Sequence, residues 1–248
     1  MDDQGLQNLR YDPVRITCMT KEIWATVMSR SDCLREPDFT LIGTRDLRNM
    51  FELYDEYFLG HYFRDRMKDR VRLRLSPGMS RAAGKTIVRR DGTFEIRMAT
   101  DLFFQTFDTV QREVKINGIV CHDRLEAFQR TLEHEIVHVL EAVLYGRTSC
   151  SGDRFRSMAR DIFGHTEVTH GLVTAKEIAG MSCGLRVGCN AAFEVDGRPY
   201  KGIITRITKR ATVMVEDPEG VFVDGKGRRF TKVYVPLGLL RPAKGGRG

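Results

Sequence analysis

From Thr44, a candidate N-cap, the apolar residues Leu47, Met50, Phe51, Tyr54, Tyr57 and Phe58 recur at helical spacing. Val71-Arg72-Leu73-Arg74-Leu75 then alternates as a half-buried strand does. Thr86-Ile87-Val88-Arg89-Arg90 and Thr93-Phe94-Glu95-Ile96-Arg97-Met98 flank Asp91-Gly92, a dipeptide that favours a tight hairpin. A longer helix is expected from Asp123 to Tyr145. Asp123-Arg124-Leu125-Glu126 reads as a capping box, and Leu125, Phe128, Leu132, Val139 and Val143 supply the apolar stripe. Gly146 stops it, and a further helix is expected over roughly Gly152 to Phe163, with Ser151 as its N-cap. Residues 1 to about 40 show little periodicity beyond a weak helix near Lys21 to Ser29, which carries Trp24, the only tryptophan.

From about Val187 the pattern changes to short alternating strands: 192–195, 200–207, 211–215 and 231–235, with turns at Asp196-Gly197 and Asp224-Gly225. So many short strands in so few residues imply a small SH3-like β-barrel. The expected fold is α+β: a domain of helices and a small antiparallel or mixed sheet, followed by that barrel. The expected segments are an N-terminal extension over 1–40, a main domain over 41–179, a linker over 180–188, a barrel over 189–243 and a tail over 244–248.

Composition adds three constraints. Hydrophobic residues make up 42% of 248, which is globular, and no run of 18 apolar residues suggests a membrane span. The first residues lack the basic region and apolar core of a signal peptide. Six cysteines without a CxxC pair read as reduced thiols of an intracellular protein, in the cytoplasm, nucleus or nucleoid. The charge is lopsided: Gly184 to Gly248 holds 13 Lys and Arg against 6 Asp and Glu, which accounts for the whole net charge of +7. A basic tail module of this kind faces a polyanion, most simply DNA or another nucleic acid. Lys201, Arg206, Lys209 and Arg210, with Arg228, Arg229 and Lys232, are its candidate cations. Tyr200 and Tyr234 are available to stack on bases.

The chemistry concentrates in His134-Glu135-Ile136-Val137-His138. Positions four apart share one helix face, so His134 and His138 can hold a single Zn2+ while Glu135 lies beside it to take a proton from water. Zinc with three protein ligands and one open position is a hydrolytic centre. The remaining histidines His61 and His122 read as structural, and Tyr145, Arg147, Arg154 and Arg156 lie near enough in sequence to contact substrate.

The stretch from about Leu47 to Phe155 resembles the SprT-like (Spartan-related) metallopeptidase domain. The matching features are Tyr54-Asp55-Glu56-Tyr57-Phe58, the strand pair closed by Ile96-Arg97-Met98, and Thr131-Leu132-Glu133 leading into the zinc motif. The resemblance implies a compact zincin-like peptidase domain with protein substrates, some members of the family digesting proteins crosslinked to DNA. Zinc peptidases of this kind often carry an edge strand beside the active helix, a role the 93–98 strand is expected to fill. Members usually place a third zinc histidine in a Gly-His-Gly step opening the next helix; this chain has Cys150-Ser151-Gly152, with serine at that place. A tight turn would send the next helix back antiparallel, its end rising about 16–18 Å to the level of the first two ligands. His165 stands there and is the expected third ligand; His170 is the runner-up, with Cys150, Asp153, Glu141 and Glu167 behind it. The expectation is therefore a zinc-dependent endopeptidase acting on nucleic-acid-associated proteins, with Glu135 catalytic and zinc on His134, His138 and His165. The rival expectation is a non-catalytic zinc-containing module that binds nucleic acid or protein.

Overall fold

A computed structural model describes residues 1–79, 82–107, 112–174, 177, 180, 184–195, 197–207 and 210–243. The chain divides into two compact units, Met1–Leu172 and Val173–Gly248. The break therefore falls before the boundary expected at 179. The expected tail lies outside the described residues, as do residues 181–183 of the expected linker.

The first unit is built around one helix. Its elements are α1 (Asp3–Gln7), α2 (Pro13–Arg30), α3 (Thr44–Tyr57), α4 (Tyr62–Arg66), β1 (Val71–Ser76), β2 (Gly84–Val88), β3 (Phe94–Ala99), α5 (Asp101–Gln105), β4 (Val114–Ile116), β5 (Ile119–Cys121), α6 (Arg124–Tyr145) and α7 (Asp153–Phe163). Helix α6 starts as its sequence requires: the Asp123 carboxylate accepts from the Glu126 N–H at 2.7 Å, and Glu126 reaches back to the His122 N–H at 2.9 Å. It ends at Gly146, whose φ of +75° is the left-handed cap that glycine adopts without strain. Leu125, Phe128, Leu132, Ile136, Val139 and Leu140 are all fully buried, so α6 is covered on more than one face. Helix α7 is plainly amphipathic and buries Phe155, Ala159, Ile162 and Phe163.

Three strands form a mixed sheet in the order β1-β3-β2, with β1 parallel and β2 antiparallel to β3. The 93–98 strand is thus the centre of the sheet, not its edge. Its ladder positions are taken on both sides, and the strand beside α6 that has a free side among the described residues is β2. Alternation along β3 turns Phe94, Ile96 and Met98 into the core, while Glu95 is buried on the other face between the guanidinium groups of Arg89 and Arg97, each at 2.5 Å.

Residues 1–40, expected to be an extension, belong to this unit. Helix α2 starts at Asp12, whose carboxylate caps it, and runs well beyond the expected Lys21–Ser29. Leu6, Ile16, Ile23 and Val27 join the same core as α6, and the Tyr11 hydroxyl donates to the Phe58 carbonyl at 2.7 Å. Its stripe contains Thr20, a polar residue, so apolar periodicity under-reports it.

The second unit contains β6 (Asn190–Val195), β7 (Arg198–Ile207), β8 (Arg210–Glu216), β9 (Phe222–Val223), β10 (Arg229–Pro236), a 3-10 turn at Leu237–Leu239 and β11 (Arg241–Pro242). They form one antiparallel sheet in the order β11-β6-β7-β8-β10-β9. The expected SH3-like barrel is therefore corrected to an open six-stranded sheet. The two end strands are two residues each, and Pro242 has no N–H to give a neighbour, so little is left at either edge to close it. The core of this unit is small, centred on Ala191, Phe193, Ile204, Val213 and Val235. Among the described residues, no helix is long and apolar enough to cross a membrane.

Candidate metal centre and active site

His134 and His138 project from one face of α6, their ring centroids 4.9 Å apart, and the Phe155 ring of α7 packs against both at 4.8 and 4.4 Å. Burial in this apolar surrounding pushes the His134 imidazole down to about 3 and His138 down to about 4. Both rings are therefore neutral at pH 7 and keep a lone pair for a cation. The His138 Nδ1 lies 2.6 Å from the Thr148 hydroxyl, a contact that fixes the ring and leaves Nε2 for a metal. The buried His134 Nδ1 has no hydrogen-bond partner.

The third side chain that could donate at this place is Cys150. One ligand atom each from His134, His138 and Cys150 lie within 4.8 Å of one another, and among the described residues this is the only such group of metal-binding side chains. A tetrahedral zinc with bonds of about 2.0–2.3 Å spaces its donors about 3.3–3.8 Å apart. Two neutral imidazoles and a thiol therefore need only a small closing movement to fit that ion. The turn that presents Cys150 is built locally. The Glu141 carboxylate accepts from the Ser149 N–H at 3.0 Å, and the Ser149 and Ser151 hydroxyls lie 2.9 Å apart. Ser151 is thus engaged inside the turn, and Gly152 takes the N-cap position expected for it.

His165, the expected third ligand, is not in this group of donors. It does return to the level of the motif, since α7 ends at Phe163 and Gly164 turns the chain at φ +73°. Its Nε2 then meets the Glu133 carboxylate at 2.8 Å, with the side chain 1% exposed. Glu133 also accepts from the Tyr54 hydroxyl at 2.7 Å and from Arg130 Nη1 at 3.0 Å. Burial alone would raise the Glu133 carboxyl, but Arg130 and these hydrogen bonds hold it below its ordinary value. The same surroundings push the Tyr54 hydroxyl well up, by burial first and by the Glu133 charge second. Glu167 and Asp153 are also outside the three-donor group: the first accepts from the Thr169 hydroxyl at 2.9 Å, and the second lies in the first turn of α7. His61 and His122 serve the backbone, the first at φ +62° before α4 and the second through its N–H to Glu126. Arg154 stacks over Tyr145, 4.0 Å from the ring centre.

Glu135 points from α6 toward β2. Its Oε2 accepts from the Thr86 hydroxyl at 2.7 Å, and a Cβ on Gly84 would come within 2.5 Å of Oε1. Strand β2 can lie this close to the carboxylate only because position 84 is glycine. Burial pushes the Glu135 carboxyl up to about 7, against the lowering effect of Thr86. A carboxylate balanced near neutral pH can both take and return a proton. A cavity of about 210 Å³ beside it is lined by Gly84, Asn117, Thr131, His134, Glu135 and His170 among others.

On the second unit, strand register sorts the basic residues. Arg206, Thr212 and Tyr234 pair across β7, β8 and β10, and Lys201, Ile203, Met214 and Lys232 share their face, opposite the buried Ile204 and Val213. Arg206, Arg210, Thr212 and Tyr234 line a concavity of about 360 Å³. Tyr234 is 60% exposed, and Lys232 Nζ stands 4.3 Å over the Phe222 ring. The other expected members are spent locally: Arg228 binds Asp224 at 2.8 Å, Arg229 donates to the Gly220 carbonyl at 2.9 Å, and Tyr200 stacks on Phe193 toward the core. Lys209 lies outside the described residues. Cys18, Cys33, Cys121, Cys150 and Cys189 are free thiols; Cys183 is likewise outside.

Two comparisons bear on this site. The SprT-like family model matches residues 47–173, a little over half of the chain, and the match includes His134, Glu135, His138 and Cys150 but none of the basic face of the second unit. No curated protein matches the chain.

Proposed function

The chain belongs to the SprT-like family, a family of zinc peptidases, and on that premise we propose that it is a zinc-dependent endopeptidase. The observation that carries the reading is the place of Glu135 on α6, next to His134 of the His134, His138 and Cys150 group, with its carboxylate held by Thr86 of β2, an end strand of the sheet among the described residues. Zinc held there would polarise a peptide carbonyl and make water acidic enough to lose a proton near pH 7. Glu135 takes that proton, and its near-neutral carboxyl then passes it to the leaving amine. The free side of β2 receives the substrate backbone as an added strand, which needs little sequence preference. Cys150 takes the place of the family's usual third histidine, and as a thiolate it carries one negative charge that a histidine would not.

The substrates we propose are proteins associated with, or crosslinked to, nucleic acid. The outward face of the second unit supports this with exposed cations interleaved with Tyr234 and Phe222, a combination suited to phosphates and bases together. The missing family histidine favours a second reading, a non-catalytic binding module. Cleavage of an unfolded protein by zinc-loaded wild type, beside Glu135→Gln, separates the two. Activity in wild type and its loss in a Glu135→Gln protein that still holds zinc supports the peptidase. Equal turnover by both proteins, or none by either, refutes it.

A further inference from the structure

The peptidase reading leaves His170 without a part, although it lines the cavity beside Glu135. The segment carrying it is held as a single antiparallel bridge between His170 and Ile116, with the Asn117 N–H donating to the Thr169 carbonyl at 2.7 Å and the Gly171 N–H to the Lys115 carbonyl at 2.6 Å. A side chain at position 171 would meet the Lys115 backbone at 3.1 Å, so glycine there lets the two segments approach. The backbone at His170 is thereby fixed, and the residue lines the cavity that Gly84, His134 and Glu135 also line. His170 and His134 line the same cavity, yet His170 stands outside the three-donor group of His134, His138 and Cys150. It is half-buried, so substrate can reach it.

We propose that His170 is a further catalytic residue, whose ring N–H donates a hydrogen bond to the scissile carbonyl oxygen as negative charge builds there. The assignment rests on the peptidase reading. In the addition step the water oxygen forms a bond to the carbonyl carbon, the π pair moves onto the carbonyl oxygen, and the water proton goes to Glu135. In the collapse the carbonyl re-forms, the C–N bond breaks, and Glu135 returns the proton to the amine. His170 exchanges no proton in either step; it stabilises the oxygen between them. A neutral imidazole in either tautomer carries one N–H, so it has the donor this needs. A donor carried on backbone pinned to a neighbouring strand needs little main-chain reorganisation when the charge forms, and such stabilisation is largest where little has to move.

The test uses the full-length zinc-loaded protein with His170→Ala and His170→Gln, read in three ways. Zinc content and melting temperature should match wild type. The kcat on an unfolded protein substrate should fall by about a hundredfold or more in His170→Ala with KM little changed, and recover in part in His170→Gln, whose amide can still donate. Independently of turnover, calorimetry with a phosphinic pseudopeptide, whose tetrahedral phosphorus carries the oxygen charge, should show tenfold or more weaker binding by His170→Ala. An unchanged kcat, unchanged phosphinate affinity, or loss of zinc from His170→Ala overturns the assignment, the last by making His170 a ligand. If wild type cleaves nothing, the peptidase reading fails by itself, and phosphinate binding still decides whether His170 contacts a tetrahedral oxygen.

Discussion

At residue scale the site turns on which side chains are already committed. The relationship of His134, Glu135 and His138 was legible in the sequence because a helix forces it. The grouping of Cys150 with the two imidazoles was not. An antiparallel return does bring His165 back to α6, but a carboxylate buried beside Arg130 and Tyr54 needs donors, and Glu133 captures the imidazole. Nothing in the spacing marks Glu133 as buried, because its neighbours belong to the motif. Glu133→Gln should cost about 3–5 kcal/mol in chemical denaturation, since it leaves Arg130 buried without its counter-charge. A second prediction concerns pH. In metal-free protein the Glu135 carboxyl lies near 7, raised from its ordinary 4.5. The folded form then holds a proton that the unfolded form has lost, so this group's contribution to stability is full below about 4.5 and disappears as pH rises to about 7. Glu135→Gln lacks that loss. Relative to wild type, the metal-free variant should gain on the order of 2–3 kcal/mol between pH 4.5 and 7.5. A stability difference flat over this range would contradict the shift.

At the scale of elements, the hairpin around Asp91-Gly92 and both site helices were readable, because turn chemistry and caps are local. Strand order was not, because β1 joins β3 in parallel across an intervening strand, and nothing local encodes that choice. The consequence is functional: β2, not β3, offers its free side next to Glu135. Gly84 is the hinge of this arrangement, admitting the strand against the carboxylate. Gly84→Ala should displace Glu135 or β2 by a few tenths of an ångström to an ångström and lower kcat/KM by about a hundredfold, with zinc content unchanged. Wild-type kcat/KM in that variant would show that the contact does not matter. A proline at Glu95, by contrast, would disrupt the centre of the sheet and unfold the unit rather than test substrate pairing.

At the scale of the molecule, the charge asymmetry was plain in the sequence and the sheet was expected, but its closure was not. Alternation reports strands and faces; it does not report whether two-residue end strands meet. Register then narrows the basic face from nine expected residues to Lys201, Arg206, Arg210, Lys232 and Tyr234. If that face binds nucleic acid, Arg206→Ala and Lys232→Ala should each reduce the slope of log affinity against log salt by about 0.7–0.9. Tyr234→Ala should weaken single-stranded binding by about 1–3 kcal/mol and leave the slope alone. Affinity unaffected by all three variants would remove this face from the account.

The most direct measurement is zinc content of the purified chain, wild type beside Cys150→Ala and His165→Ala, by metal analysis after dialysis. One zinc per chain in wild type and in His165→Ala, with loss from Cys150→Ala, is the expected result. Zinc retained in Cys150→Ala and lost from His165→Ala would contradict the metal centre described for this protein.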